Sequence, residues 1–122
     1  EKIMKIIALH GGMRGFDIPG AIFVITGDLR LYQNEYERNT LFVDGGIFLM
    51  NLLYALDSLG LVACPLIWGS EPSDDKKLSE ILNIKPHEKI VAWISAGYCP
   101  GKAFKAAISS KRDLNTILRI IE

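Results

Sequence analysis

Cysteine and histidine are scarce in this chain, which has two of each in 122 residues. Cys64 and Cys99 form no C-x-x-C pair, and no histidine or cysteine stands at zinc-ligand spacing from either of them. The sequence therefore gives no sign of a zinc site or of a disulfide framework. Reduced thiols are the default inside cells, so we expect a cytoplasmic protein.

The chain has no excess of charge of either sign, since 14 Lys and Arg residues balance 14 Asp and Glu residues. A neutral chain has no net field to attract nucleic acid or an acidic membrane surface. Its first residues, EKIMKIIALHGG, lack the basic region, apolar core and cleavage site of a secretion signal. We expect neither nucleic acid nor a membrane as a partner.

No apolar run reaches membrane length without interruption. The most apolar segment, residues 41–61, is broken by Asp44, Gly45, Gly46, Asn51 and Asp57, and therefore predicts a buried core helix rather than a membrane span. Asp44 is expected to cap the start of this helix. The two glycines that follow either serve helix packing or let a flat ligand or a neighbouring helix approach the backbone closely.

The remaining segments predict one domain over residues 1–122, without repeats. Ser73 is the expected N-cap of the third helix. Strands are indicated by compact runs rich in β-branched and aromatic residues, and helices by apolar residues at helical spacing. The expected elements are a helix at 1–9, a strand covered on both faces at 21–27, the long helix, a buried strand at 61–69, a helix at 72–82, a strand at 89–98 and helical spacing at 113–121.

Few of these residues suggest chemistry by themselves. Cys64 is expected to be an inert thiol within a buried strand, where Pro65 removes one amide from the ladder. His10 and His87 are expected to be solvated or helix-terminal rather than catalytic bases. Residues 101–112 form a loose basic stretch. The alternation of helices and strands predicts helices packed on a sheet and leaves α/β and α+β both open.

The order of several short motifs resembles the second half of the FMN-dependent nitroreductase family. An Asp-x-Gly helix start leads to an Asn-Leu-Leu-x-Ala core and a Gly-Leu pair, then to a strand beside the flavin, a short helix and a strand ending in Gly-Tyr. The resemblance extends over about residues 18–121. The matching residues are Asp44, Gly46, Asn51, Leu52, Leu53, Ala55, Gly60, Leu61, Gly97 and Tyr98.

This resemblance implies an α+β fold of three layers, α/β/α, around a mainly antiparallel sheet. It also implies an oxidoreductase that transfers hydride from NAD(P)H through FMN to a nitroaromatic, quinone or related acceptor, as a homodimer. The loop after the second strand would meet the isoalloxazine ring, with a backbone amide at N5. The implied cofactor-binding residues are Pro65, Trp68, Gly69 and Ser70 around the ring, and Lys111 and Arg112 at the phosphate.

The chain departs from the family pattern in two ways. Ser109 stands where a further basic residue is often found, and the early Arg-Ser-x-Arg and Asn-x-Gln-Pro-Trp types of flavin-binding motif are absent. The chain thus looks like the C-terminal part of a nitroreductase and is expected to bind FMN weakly unless a partner supplies the rest of the site. The alternative is a flavin-free nitroreductase-like module that serves dimerisation or structure.

Overall fold

The computed structural model describes residues 1–13, 15–99, 101 and 110–121. Its helices and strands follow the order expected from the sequence, and short 3₁₀ turns occur between them and near the C-terminus. The main elements are α1 (Lys2–Leu9), β1 (Ala21–Asp28), α2 (Thr40–Ser58), β2 (Val62–Leu66), α3 (Pro72–Leu82) and β3 (Glu88–Gly97).

The three strands form an antiparallel sheet in the order β1-β3-β2. β3 pairs with β1 through Ala21 and Ala96 and with β2 through Val62 and Gly97. The β1–β3 register shifts between Ile25 and Thr26, which marks a bulge. β3 is therefore central and carries the most deeply buried strand residues, while β1 and β2 are the edges of the described sheet.

One face of the sheet is covered by α2. Leu56 of this helix packs against Ile25, Ile94 and Ala96 in a buried apolar cluster. The helix lies close to the strands because Leu41 sits over Gly27 and because Gly45 is packed against Val91. A Cβ on Gly45 would stand 2.6 Å from a methyl group of Val91. The close approach that the glycine pair suggested is therefore made by Gly45, and to a strand.

The opposite face is covered by α1 and α3. Ile6 from α1 and Leu78 from α3 meet Trp93 of β3, and Leu78 and Trp93 are fully buried. Ile22 and Val24 of β1 join this second cluster, while Phe23 and Ile25 belong to the first. The alternating residues of β1 thus contribute to both cores, as its apolar run predicted, and the arrangement is a three-layer α+β fold.

The long helix is not the buried core helix expected from its composition. Leu41, Gly45 and Leu56 are its buried residues, since one side of α2 packs on the sheet and the rest faces outward. The outward side carries large apolar residues that are between 45% and 64% exposed: Phe42, Val43, Ile47, Phe48, Met50 and Tyr54. The apolar content of the segment therefore exceeds what the contacts with its own sheet require.

Two expected helix caps are wrong. α2 begins at Thr40 after Asn39, so Asp44 lies in the second turn and its carboxylate accepts a hydrogen bond from the Tyr32 hydroxyl at 2.9 Å. α3 begins at Pro72, whose fixed φ suits the first helical position, so Ser73 is already inside the helix. Asp74 and Asp75 lie in the first turn of α3.

Gly60 forms the stop of α2, which ends at Ser58. Gly60 has φ +74°, a left-handed conformation that glycine adopts without a steric penalty. Its N–H donates to the Asp57 carbonyl at 2.8 Å, and the N–H of Leu61 donates to the Leu56 carbonyl at 3.0 Å. This pair of bonds is a Schellman motif, which satisfies carbonyl groups of the last turn.

Two further expectations are wrong, one for the burial of Cys64 and one for a helix in residues 113–121. β2 is an edge strand, so Cys64 is exposed rather than buried. The apolar spacing in residues 113–121 yields a single 3₁₀ turn, Leu114–Thr116, in an exposed segment. Helical spacing alone does not stabilise a short helix that has no core to pack against.

Candidate functional site

The candidate site is the loop that follows β2, together with the side chains packed behind it. Pro65 lies on the edge strand with its ring exposed, and Ser70 is half-buried. Gly69 is exposed, and a Cβ added to it would meet no atom within 4 Å. Within the described residues, the Gly69 N–H has no hydrogen-bond partner. The loop therefore offers an accessible backbone donor of the kind predicted for contact with a flat ligand.

The side chain of Trp68 points away from this donor, into the core. Its indole ring stacks on that of Trp93, with 4.7 Å between centroids and 8° between planes. Its indole N–H donates a hydrogen bond to the Asp75 carboxylate in the first turn of α3. The loop thus has two sides, an open backbone at Gly69 and a side-chain anchor at Trp68.

His10 completes this aromatic cluster and was not predicted from the sequence to be part of it. It ends α1, and its ring lies 5.0 Å from that of Trp93 and 5.9 Å from that of Trp68. It is helix-terminal, as expected, but it is buried rather than solvated. Neither of its ring nitrogens has a hydrogen-bond partner among the described residues. The HGG sequence signals the end of a helix, and nothing local to it indicates contact with residues 58 and 83 positions away.

A cleft of about 330 Å³ lies beside the loop. Trp68 and Ser70 line it from the loop, Phe42 from α2, and Asp75 and Lys89 from α3 and the start of β3. A volume of this size is at the lower end of the range for small-molecule sites, and the mixture of aromatic and polar lining is typical of them. Gly69 lies between two residues, Trp68 and Ser70, that line this cleft.

Lys111 and Arg112 are exposed in the segment near the C-terminus. The aromatic stack and the hydrogen bond that anchor the Trp68 loop come from α1, α3 and β3. Ser109 and the earlier lysines of the basic stretch lie outside the described residues. The cofactor-binding role of Pro65, Trp68, Gly69, Ser70, Lys111 and Arg112 stays a prediction.

A second and larger cleft, of about 940 Å³, lies between β1 and the first half of α2. Tyr32 and Asp44 line it, joined by their hydrogen bond. Burial, and then this bond to the carboxylate, raise the pKa of Tyr32 above its ordinary value of 10.0. Tyr32 is thus half-buried and hydrogen-bonded, whereas Tyr36 is exposed.

Asp28, at the end of β1, also lines the second cleft. Side-chain hydrogen bonds from Arg30, and then the backbone N–H of Arg30, lower the pKa of this carboxyl group from 3.8 to about 2. His87 lies 3.9 Å away and adds a smaller effect of the same sign. Asp28 is therefore a paired anion that orders the turn after β1, with a pKa unsuited to proton transfer near neutral pH.

Among the described residues, no group of three or more His, Cys, Asp or Glu side chains could hold a metal ion. In the same part of the chain one helix, α2, is long and apolar enough to cross a membrane by length and composition alone. Its Leu41, Gly45 and Leu56 are buried against the sheet, and most of its other residues are exposed.

The sequence profile of the Nitroreductase family matches residues 9–98 of this chain. The match covers most of the chain, and the chain belongs to this family. It includes the Trp68 loop and the aromatic cluster behind it, while Lys111 and Arg112 lie beyond the matched residues. A search of curated proteins found no match.

Solved structures of nitroreductase type share the fold. A Bacillus subtilis protein, ydfN, described as a nitroreductase, superposes with a TM-score of 0.79 at 13% identity over 98% of this chain and 72% of its own. A protein from Desulfovibrio desulfuricans, described as a nitroreductase and solved in complex with FMN, has a TM-score of 0.71 at 22% identity, over 96% and 63%. A protein from Staphylococcus epidermidis, described as an NAD(P)H:FMN oxidoreductase, has 0.78 at 16%, over 98% and 70%.

These comparisons confirm the family and the fold that the motif order predicted. The chain spans about two thirds of the length of these structures, from 63% to 72% in the three cases. At such low identity they establish architecture and leave the chemistry of this chain to be argued from its own residues.

Proposed function

We propose that the protein containing this chain is an FMN-dependent oxidoreductase that passes hydride from NAD(P)H to a small-molecule acceptor such as a nitroaromatic or a quinone. Family membership supports this proposal. So does the presence, among structures of the same fold, of a complex with FMN and of a protein described as an NAD(P)H:FMN oxidoreductase. The observation that carries it is the exposed Gly69, whose N–H has no hydrogen-bond partner among the described residues and whose neighbours Trp68 and Ser70 line a cleft.

When bound, FMN supplies the hydride chemistry, and the protein binds it and tunes its electronics. In this proposal the Gly69 N–H donates to N5 of the isoalloxazine ring, and Ser70 and the exposed ring of Pro65 border it. A glycine at this point lets a flat ring approach the backbone without meeting a Cβ. Trp68 contributes through its backbone and through its anchoring, because its indole ring faces Trp93.

The phosphate of FMN needs positive charge. Lys111 and Arg112 are the proposed source within this chain, and both are exposed. In the proposed homodimer, residues of a second subunit would add to this charge. Phosphate contacts supply much of the anchoring, so the affinity of this chain alone for FMN is expected to be low.

We also propose that the protein acts as a homodimer formed through the outward side of α2. Val43, Ile47, Met50 and Tyr54 follow one another at intervals of four, three and four residues, which places them in one stripe along the helix. All four are exposed in the single chain. A second copy that presented the same stripe would remove this surface from water. Contiguous exposed apolar patches of this kind commonly mark sites of protein–protein contact.

A flavin-free dimerisation module remains the second candidate function. The apolar stripe of α2 favours it, because self-association needs none of the flavin contacts. Both exposed cysteines, Cys64 and Cys99, are unpaired, which supports a reducing and hence cytoplasmic location for either candidate.

An FMN titration followed by visible absorption separates the two candidates. The oxidoreductase proposal makes two predictions for the protein expressed at the full length of its reading frame. Binding to the protein perturbs the flavin spectrum, and NADH or NADPH reduces the bound flavin. A protein that forms a stable dimer in sedimentation but neither retains nor accepts FMN would contradict the oxidoreductase and favour the module. Intact mass compared with the reading frame shows which length of chain is being tested.

A further inference from the structure

Trp68 is held from behind by two different interactions. Its ring face lies on Trp93, which is fully buried in the centre of the sheet. Its indole N–H is bound to the carboxylate of Asp75, which belongs to α3. A hydrogen bond to a charged acceptor is stronger than one between neutral groups, and its direction adds a constraint that stacking alone does not provide. The stack thus fixes the position of the Trp68 ring against the sheet, and the hydrogen bond to Asp75 fixes the rotation of the ring.

Gly69 has no such constraint of its own. It carries no side chain, no atom lies where its Cβ would be, and its N–H makes no hydrogen bond within the described residues. A glycine without contacts has wide backbone freedom. The direction of the Gly69 N–H is therefore determined largely by the residue that precedes it, which is Trp68.

We propose that Asp75 and Trp93 are positioning residues for the flavin-binding loop. By holding Trp68, they orient the Gly69 N–H toward the ligand before the ligand arrives, and so set both the affinity for FMN and the reduction potential of the bound flavin. This inference rests on the proposed function. It assigns to two residues outside the loop an effect on a cofactor that neither of them touches.

The effect on potential has a definite sign. In oxidised flavin N5 is a hydrogen-bond acceptor, whereas in reduced flavin N5 carries hydrogen. A donor fixed at N5 thus stabilises the oxidised form more than the reduced form. Loss of the anchor weakens this donor, so it should raise the midpoint potential. It should also lower affinity for oxidised FMN by about tenfold, because the loop must then be ordered on binding.

Asp74 provides the matched control for Asp75. Both are acids in the first turn of α3, so removal of either has a similar effect on the helix dipole. Asp74 pairs with Lys77 at 2.9 Å rather than with the indole. An effect of Asp75→Ala that Asp74→Ala does not share therefore reports the bond to Trp68.

A measurement without flavin tests the anchor itself. The chain contains two tryptophans, Trp68 and Trp93, and they form the stack. The near-ultraviolet circular dichroism of the protein should contain a strong signal from this parallel pair. Asp75→Ala should weaken it, as rotation of Trp68 is released, while Asp74→Ala should leave it unchanged.

The deciding experiment measures FMN dissociation constants and midpoint potentials for the full reading frame and its variants. Asp75→Ala is expected to bind about tenfold more weakly, with a raised potential, and Asp74→Ala to match the unaltered protein. Trp68→Phe keeps an aromatic ring on Trp93 but loses the donor, so it should reproduce the Asp75→Ala effects. If Asp75→Ala fails to fold, Trp68→Phe still tests the positioning role. The double variant Trp68→Phe with Asp75→Ala should be no weaker than either single variant.

The outcomes separate this inference from the function on which it rests. If the unaltered protein binds no FMN, the proposed function and the inference are both overturned. If it binds FMN and Asp75→Ala and Trp68→Phe leave affinity and potential unchanged, the positioning role alone is wrong. Equal losses in Asp74→Ala and Asp75→Ala would also overturn it, since they would trace the effect to the helix and not to the indole.

Discussion

The indole rings of Trp68 and Trp93 lie almost parallel, with centroids 4.7 Å apart, and join the loop after β2 to the central strand of the sheet. His10 closes the cluster from the end of α1. The contacts among these three rings thus connect α1, β3 and the candidate flavin loop. The stability of the core and the geometry of the site are consequently properties of the same few side chains.

Replacement of His10 by phenylalanine should stabilise the protein. Both ring nitrogens of His10 are buried and have no partner in the part of the chain that the structure describes, and a buried unsatisfied polar group costs about 1–3 kcal/mol. Phenylalanine keeps the ring contacts with Trp68 and Trp93 and removes the nitrogens. Urea unfolding should show a free energy of unfolding higher by about 1 kcal/mol. His87→Phe is the control, since His87 is half-buried beside Asp28, and it should bring no gain. A loss of stability in His10→Phe would mean that the ring nitrogens of His10 do have hydrogen-bond partners.

The adjacent glycines of α2 should respond in opposite directions to alanine. Gly46→Ala places a methyl group in open space and should stabilise the helix by about 1 kcal/mol. Gly45→Ala drives a methyl group into Val91, a β-branched residue with little freedom to move, and should destabilise by about 1–2 kcal/mol. Thermal unfolding of both variants at one protein concentration checks the pair. Equal effects would mean that α2 does not approach β3 through Gly45.

The carboxyl group of Asp28 should titrate near pH 2. Hydrogen bonds from Arg30 lower its pKa in the folded protein from 3.8 to about 2. A lowered folded-state pKa means that the stabilisation is present above the unfolded value of 3.8 and is lost as pH falls toward 2. NMR titration of the side chain should show this midpoint. Arg30→Gln should raise the midpoint part of the way toward 3.8. The shift is incomplete because the backbone N–H of residue 30 still donates to the carboxylate. Lys77→Gln should leave it unchanged; an equal shift there would point to a general charge effect.

A charge on the outward side of α2 should break the proposed dimer. Ile47→Glu places a carboxylate in the middle of the apolar stripe, where burial without a partner costs several kcal/mol, so self-association should weaken at least about tenfold. Sedimentation velocity measures this directly. Tyr36→Glu is the matched control, because Tyr36 is exposed in the 3₁₀ turn Glu35–Glu37 and does not belong to the apolar stripe of α2. A monomeric parent protein that pellets with lipid vesicles would instead assign this surface to a membrane.

Much of the fold could be predicted from local pattern. The bounds of α3 were predicted to the residue, and those of α1, β1 and β3 to within one, since each has a clear apolar period or a definite stop signal. The errors have physical causes. Asp44 and Ser73 resemble caps, but Thr40 and Pro72 begin the helices earlier. Cys64 lies in an apolar run, but a run does not say whether its strand is central or at an edge.

The candidate site divides in the same way. Motif order predicts Pro65, Trp68, Gly69 and Ser70 as flavin contacts, because their spacing is local, and this role stays a prediction. The anchor at Asp75 and Trp93 was not predicted, nor was the contact of His10 with both tryptophans. These contacts join residues from three elements that are far apart in the chain, and no period or motif connects them.

The sequence by itself determined the order of elements and the family, since these follow from hydrophobic period, turn residues and the succession of short motifs. Tertiary structure alone decided that β3 is central, that α2 keeps an apolar side exposed, and that the Trp68 ring turns inward while Gly69 stays open. The physical reason is that burial and orientation depend on which distant residues meet, and packing makes that choice only when the whole chain has folded.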